Sequence, residues 1–137
     1  MSEKLACVLF SGTADRLQAV ATLASGAAAM GVETDIFLTY WGVNAFRPSV
    51  MVETPPISAD YGDLGETVVK LMVEKNVPPW HEVLRTAKDV GEVRIHACAA
   101  TMDLFDLTKD DLDPMVDDVI GVASFTDLAQ GAQLLFI

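Results

Sequence analysis

Short continuous apolar runs alternate along this chain with segments of helical periodicity. The first run, KLACVLFSG at residues 4–12, ends in Ser11 and Gly12 and is typical of a strand that is buried on both faces of a parallel sheet. Residues 13–31 carry apolar side chains at helical spacing and predict a helix of about four or five turns. Residues 32–40 predict a second strand because they are rich in β-branched and aromatic residues.

The remainder of the chain continues the alternation after an interruption. The segment 41–46 predicts one helical turn, and the prolines between residues 47 and 63 predict a long irregular segment of a kind that is usually functional or mobile. Thr108 and Asp111 have the spacing of a capping box, with Asp in place of Glu. The later elements are predicted as helix 62–77 with Leu64, Val68, Leu71 and Met72 on its apolar face, helix 78–91, strand 92–98, helix 100–107, an apolar segment at 118–124, helix 125–132 and strand 133–137.

This order of elements predicts an α/β fold of three layers, in which helices cover both faces of a mostly parallel sheet. The length of 137 residues suits one domain, so residues 1–137 are expected to form a single domain. Hydrophobic residues make up 51% of the chain, which favours burial in an oligomer interface as well as in a core. We therefore expect a homo-oligomer.

Charge and hydropathy narrow the possible functions. Nine Lys and Arg against 20 Asp and Glu give a net charge of -11, which disfavours nucleic acid and anionic lipid as partners. No apolar run approaches the roughly 20 residues of a membrane span. Met1 is followed by Ser2 and Glu3 without a basic, apolar leader pattern, so a cytoplasmic location is expected.

The two cysteines, Cys7 and Cys98, have neither C-x-x-C nor zinc-site spacing, and no metal or other cofactor is expected. Cys7 lies inside an apolar strand and is predicted to be structural. Cys98 follows the third strand and precedes a helix, where unpaired N–H groups and the helix dipole favour a thiolate. From position alone it is either a reactive thiol or a small buried hydrophobe. His96 either assists Cys98 from the same strand face or is satisfied by the backbone.

Ligands of open parallel sheets bind beyond the carboxyl ends of the strands, and polar or aromatic residues follow two further strands. The segment 11–15, SGTAD, is either an anion site at a helix start or a plain capped turn. Trp41 is expected in a pocket, an oligomer seam or the core. Together with Cys98, the residues considered for a pocket are Ser11, Gly12, Thr39, Trp41, Gly42 and Met102.

Three stretches, in this order, resemble motifs of one family. They are F-x-T-Y-W-G at Phe37, Thr39, Tyr40, Trp41 and Gly42; A-C-x-x-T-M-D at Ala97, Cys98, Thr101, Met102 and Asp103; and a closing motif at Gly121, Val122, Ala123, Phe125, Leu135, Phe136 and Ile137. The chain thereby resembles the DsrE/DsrF-like sulfur-relay superfamily, in particular its cytosolic branch that is often labelled peroxiredoxin-like. The chain lacks the P-x-x-x-T-x-x-C stretch that a peroxiredoxin would carry.

The resemblance implies a homo-oligomer with flavodoxin-like layering. It also implies that Cys98 accepts sulfane sulfur as a persulfide and exchanges it with a TusA-like sulfur-carrier protein or a rhodanese. The Thr101 hydroxyl, in place of the usual serine, would stabilise the charged sulfur, and His96 would assist. A second hypothesis stays open from the sequence, namely a non-catalytic oligomeric module that binds a small anionic ligand or a partner protein. The chain is a sulfurtransferase only if the first hypothesis holds.

Overall fold

A single sheet of five parallel strands forms the centre of the computed structural model, which describes residues 4–53 and 55–137. The strands are β1 (Lys4–Leu9), β2 (Glu33–Leu38), β3 (Val93–Cys98), β4 (Asp118–Ile120) and β5 (Gln133–Phe136), in the spatial order β4-β3-β2-β1-β5. Every pair of neighbours is parallel, which confirms the predicted α/β class. Residues 1–3, on which the expectation of no leader rests, lie outside the described residues.

Seven helices connect these strands in the described part of the chain. They are α1 (Ala14–Ala29), α2 (Trp41–Ala45), α3 (Pro48–Met51), α4 (Gly62–Glu74), α5 (Trp80–Val90), α6 (Ala99–Leu104) and α7 (Val122–Leu128). The segment predicted to be irregular contains α3 and a 3-10 turn, Ala59–Tyr61. The predicted capping box of Thr108 and Asp111 is confirmed at a second 3-10 turn. Among the described helices, none is both long and apolar enough to cross a bilayer.

The apolar segment at 118–124 divides between two elements. Its first three residues form β4, and Val122 already begins α7. Gly121 takes the N-cap position between them with an extended backbone. A three-residue strand followed at once by a helix brings the start of α7 to the carboxyl edge of the sheet, beside the end of β3.

The strand order explains why the two faces of the sheet are covered unequally. From β1 to β4 each strand is added on the same side, so right-handed crossovers carry these connections over one face. On this first face α1 and α5 pack on the large core that contains Cys7, Ile36 and Ile95. The chain then returns from β4 to β5 beside β1, and this connection, α7, is the helix that covers the second face.

Helix α4 differs from its sequence pattern. Its predicted apolar face includes Leu64, Val68 and Leu71, but these side chains are exposed in the structure. Only Gly65 of this helix is buried, where it lies against Ile57 of the preceding loop rather than on the sheet. A correct helical period therefore predicted the element but not its packing partner.

Candidate functional site

The carboxyl ends of β3 and β4 lie where the connections of the two strands diverge to opposite faces of the sheet. The connection after β3 runs over the first face, where Leu112 and Met115 enter the large core, whereas the connection after β4 is α7 on the second face. Such a divergence of connections opens a crevice at the edge of a parallel sheet. Cys98, the last residue of β3, pairs with Ile120 of β4 at this point.

Beside Cys98 a cavity of about 440 Å³ opens on the second face of the sheet. The Cys98 residue is 8% exposed, so its thiol is sheltered but borders this cavity. We call this space the Cys98 cavity. It is lined by Val8, Phe10, Phe37, Thr39, Tyr40, Cys98, Ala100, Thr101, Leu104, Val122, Phe125, Thr126, Leu134 and Phe136.

Aromatic rings form much of the Cys98 cavity. Phe37 of β2 and Phe125 of α7 stack with their centroids 4.6 Å apart, and this pair fixes α7 on the sheet. Phe10 lies 5.4 Å from Tyr40 and 5.9 Å from Phe136, measured between ring centroids. These last three side chains are partly or largely exposed, so the outer part of the cavity is an accessible apolar surface.

Thr101 ties the cavity wall to the end of β2. Its side-chain oxygen accepts a hydrogen bond from the backbone N–H of Tyr40 at 3.1 Å, and Thr101 itself is buried. Tyr40 has a positive φ of 47°, a conformation that costs a non-glycine residue about 1–3 kcal/mol. Because the Thr101 oxygen acts as the acceptor here, its hydroxyl proton remains available to donate to another group.

The two cysteines lie in different environments. Cys7 is 1% exposed in the large core of the first face, and burial raises the pKa of its thiol to about 11. Cys98 belongs to the smaller cluster of the second face and borders the Cys98 cavity. Helix α6, which Cys98 caps, has only six residues, so the N–H groups of its first turn matter more than its dipole. Cys98 is therefore the thiol that a ligand in this cavity meets.

His96 lies two residues before Cys98 on the same strand, but its ring is held by carboxylates. Its Nε2 lies 2.7 Å from a carboxylate oxygen of Asp35 and its Nδ1 lies 2.6 Å from one of Asp118, and the protonated ring donates both hydrogen bonds. Burial disfavours the charged ring, yet these two bonds outweigh burial and raise the pKa of His96 above its ordinary value. Neither ring nitrogen is free to take a proton from Cys98, so the geometry gives His96 a role in joining β2, β3 and β4.

Asp35 is the centre of this ionic cluster. Its side chain is fully buried, and it accepts bonds from Arg94 at 2.9 and 3.0 Å as well as from His96, with Lys4 at 3.1 Å. Burial opposes ionisation, but the bonds from His96, Arg94 and Lys4 hold the pKa of Asp35 well below its usual range. Glu33 also pairs with Arg94. The cluster lies towards the amino ends of the strands, whereas Cys98 lies at the carboxyl end of β3.

The other predicted site residues divide among four places. Thr39 and Thr101 line the Cys98 cavity, whereas Ser11, Gly12 and Trp41 line a neighbouring cavity. Met102 is buried in the large core of the first face and does not line the Cys98 cavity. Gly42 is packed against β1, where an added Cβ would lie 2.2 Å from the carbonyl oxygen of Leu9. The structure thus brings together only part of the predicted set.

The polar groups at the start of α1 are already engaged, although its N-cap residue, Thr13, makes no side-chain cap hydrogen bond. The Ala14 N–H donates to the carbonyl of Pro56 at 2.8 Å, and the hydroxyl oxygens of Ser11 and Thr13 lie 3.1 Å apart. Asp15 accepts the backbone N–H of Ser58 at 3.1 Å and adds negative charge in the first turn. An anion at SGTAD would have to displace these partners.

Sequence reasoning did not single out the cavity walls on β1, β5 and α7. Phe10, Leu134 and Thr126 line the cavity but were not considered as site residues. The alternation of side chains along β1 and β5 was the sequence signal for these walls. Val8 and Phe10, and likewise Leu134 and Phe136, are two residues apart and therefore lie on one face of the sheet. Only the strand order shows that these partly exposed apolar side chains line one cavity.

Comparisons with known proteins agree with this fold and this motif set. The model of the DsrE/DsrF/DrsH-like family matches residues 1–62 and 57–137. The chain is 31% identical to the uncharacterized protein YrkE of Bacillus subtilis, over 99% of this chain and 98% of that protein. It is 27% identical to the sulfur carrier protein DsrE2 of Allochromatium vinosum, over 93% and 92%.

A solved structure has a fold similar to that of this chain. The protein of unknown function MTH1491 from Methanobacterium thermoautotrophicum superposes with a TM-score of 0.59 at 17% identity, covering 98% of both chains. At this identity the likeness concerns the fold alone, and it matches the five-stranded parallel sheet described above. The family match, by contrast, spans the chain from end to end. The chain belongs to the DsrE/DsrF/DrsH-like family.

Proposed function

We propose that the protein is a sulfur carrier that holds sulfane sulfur as a persulfide on Cys98. The observation that carries the proposal is the placement of one thiol at the carboxyl edge of a parallel sheet, beside a cavity of about 440 Å³. Membership of the family, and similarity to a protein named as a sulfur carrier, support the same reaction class. Cys7 lies in the opposite core, so the loaded sulfur has no resolving cysteine beside it.

The chemistry is thiol exchange at sulfur. The Cys98 thiolate attacks the outer sulfur of a donor persulfide, the donor S–S bond breaks, and the donor thiolate leaves with the electron pair. A new S–S bond forms on Cys98, and no net oxidation occurs. The Thr101 hydroxyl and the N–H groups at the start of α6 stabilise the negative sulfur. The reverse exchange passes the sulfur to an acceptor thiol.

The proposed exchange partners are a TusA-like sulfur-carrier protein or a rhodanese. The partly exposed apolar surface around the cavity, including Phe10, Leu134 and Phe136, is of a kind that contacts another protein. We further propose that part of this surface is covered by another copy of the chain in a homo-oligomer. A persulfide carrier needs a reducing compartment in which its thiol returns to the free state, which favours the cytoplasm.

The proposal is tested by the mass of the intact protein after incubation with a persulfide donor. The wild-type chain and the Cys7→Ala variant should each gain the mass of one or more sulfur atoms, and treatment with a reductant should remove it. The Cys98→Ala variant should gain none. Equal gain by the Cys98→Ala variant, or no cysteine-dependent gain with any donor, would contradict the proposal and favour a non-catalytic binding module.

A further inference from the structure

The Cys98 cavity contains no charged side chain among the residues that the structure describes. Apart from the Cys98 thiol, its polar side chains are the hydroxyls of Thr39, Tyr40, Thr101 and Thr126, and the rest of its wall is aliphatic or aromatic. A thiolate at Cys98 would therefore be the negative group of this cavity, and no cation in the cavity wall would balance its charge. Any charge that a substrate brings adds to it.

The cations on the same face of the sheet are also unavailable. Lys4 and Arg94 lie towards the amino ends of their strands, where they pair with Glu33 and Asp35. The His96 ring is held by Asp35 and Asp118 and does not line the cavity. The chain as a whole has a net charge of -11. Both the local and the global field therefore oppose an anionic substrate, and the cavity offers no buried positive group to offset its desolvation.

From this absence of positive charge we infer the substrate class of the proposed carrier. The cavity takes the sulfane sulfur of a persulfide that is borne on an apolar organic group, and it discriminates against sulfur oxyanions such as thiosulfate. This inference rests on the proposed function and concerns the same site. The apolar group lies against the surface formed by Phe10, Val122 and Leu134, and the persulfide reaches Cys98.

The two donor classes differ in the total negative charge on the reacting groups. With a protonated persulfide, Cys98–S⁻ attacks R–S–S–H to give Cys98–S–S–H and R–S⁻, so the reacting groups carry one negative charge throughout. The leaving thiolate then takes a proton from water. With thiosulfate, Cys98–S⁻ attacks the outer sulfur to give Cys98–S–S⁻ and sulfite, SO₃²⁻, and the reacting groups carry three negative charges. Only the first reaction suits a cavity without cations.

The charge preference is measured with two probes that share one reactive group, of which one is neutral and the other anionic. Ethyl methanethiosulfonate is neutral and its 2-sulfonatoethyl analogue is anionic, and both transfer an alkylthio group to a thiolate with loss of methanesulfinate. The rates with Cys98 are measured in the Cys7→Ala background and divided by the rates with a small neutral thiol in solution. We expect the neutral probe to be favoured by roughly tenfold or more. Equal normalised rates, or a preference for the anionic probe, would overturn the inference.

A charge added at the cavity mouth supplies the matched control. Leu104 lines the cavity near the end of α6 and is 59% exposed, so lysine or glutamine should be tolerated there. Relative to Leu104→Gln, Leu104→Lys should raise the ratio of anionic to neutral rates about fivefold, and added salt should reduce the gain. Thr126→Lys against Thr126→Gln repeats the test on α7. A ratio unchanged in both pairs would contradict the inference.

True sulfane donors complete the experiment. Benzyl hydropersulfide should load Cys98 faster than thiosulfate after normalisation to a small thiol, as followed by intact mass. A TusA-like protein loaded with persulfide, run in parallel, distinguishes a protein-borne group from a free small molecule. Faster loading by thiosulfate would overturn the substrate class while leaving the carrier function intact. Failure of every donor to load Cys98 would instead overturn the carrier function itself.

Discussion

Substitution of Asp35 by asparagine tests the ionic cluster that joins the strands on the second face. The Asp35 carboxylate is fully buried and lies within 3.1 Å of Lys4, Arg94 and His96. Asparagine keeps the size of the side chain but removes its charge. All three cationic partners then lose the group that they share.

The expected loss of stability follows from this burial. Removing one partner of a buried ion pair costs about 3–5 kcal/mol because the remaining charges stay desolvated. A domain of this kind is stable by only about 5–15 kcal/mol, so Asp35→Asn should lose a large fraction of the free energy of unfolding. The ion pair of Arg85 and Asp113 supplies a comparison, since the Arg85 side chain is 47% exposed. Arg85→Gln should cost less than about 1 kcal/mol.

The same cluster makes the stability depend on pH in a defined direction. The pKa of His96 is raised in the folded chain, so its contribution is fully present below the unfolded value of about 6.5. It is lost as the pH rises through the folded value. The pKa of Asp35 is lowered, so its contribution is lost only as the pH falls through that low value. Between these limits the wild-type chain should become less stable as the pH rises from about 6.5.

Urea unfolding at several pH values between about 5 and 9, followed by circular dichroism, measures both effects. We expect Asp35→Asn to lower the free energy of unfolding by about 3–5 kcal/mol and to flatten its dependence on pH above about 6.5. A loss no larger than that of Arg85→Gln, or an unchanged dependence on pH, would refute the account of the cluster.

Three further pairs of substitutions test the packing, the cavity and the exposed face. Gly42→Ala should lower the free energy of unfolding by about 1–3 kcal/mol, because its Cβ would meet the backbone of Leu9. Gly26→Ala, whose Cβ would lie in open space on α1, should raise the free energy of unfolding by up to about 1 kcal/mol in the same urea titration. Thr101→Val leaves the backbone N–H of Tyr40 without its acceptor, so it should lower the free energy of unfolding by about 1–3 kcal/mol. It should also slow sulfur loading, as followed by intact mass, whereas Thr101→Ser should remain close to wild type. Equal effects of the two variants would argue against a role of the hydroxyl. Phe136→Glu should lower the molar mass measured by light scattering if the second face is an oligomer interface, whereas Met30→Glu, on the exposed end of α1, should not.

The fold was predictable because its pattern is local. The apolar runs that become β1 and β2, and the period of α1 between them, follow from sequence spacing, and their boundaries differ from the prediction by only a few residues. The sequence did not predict which face of the sheet carries the cavity. Which face it is depends on the return of the chain from β4 to β5, a long-range choice that no local pattern carries.

The candidate site was predictable in part for the same reason. Cys98 and Thr101 are on consecutive elements, so their proximity is a local property. The role of His96 was obscured because its partners, Asp35 and Asp118, are 61 and 22 residues away. Asp35, directly before the apolar residues 36–38 of the second strand, was the signal that a buried cation should lie opposite, and the structure places three cationic groups there.

Transfer of sulfur from Cys98 to a second protein is the direct test of the proposed carrier function. The chain is loaded with isotopically labelled sulfur, freed of donor, mixed with a TusA-like protein in its thiol form, and the intact masses of both proteins are followed in time. We expect each labelled sulfur that is lost from Cys98 to appear on the cysteine of the acceptor. Retention of the label on Cys98, or its release as sulfide without any gain by a TusA-like protein or a rhodanese, would contradict the account.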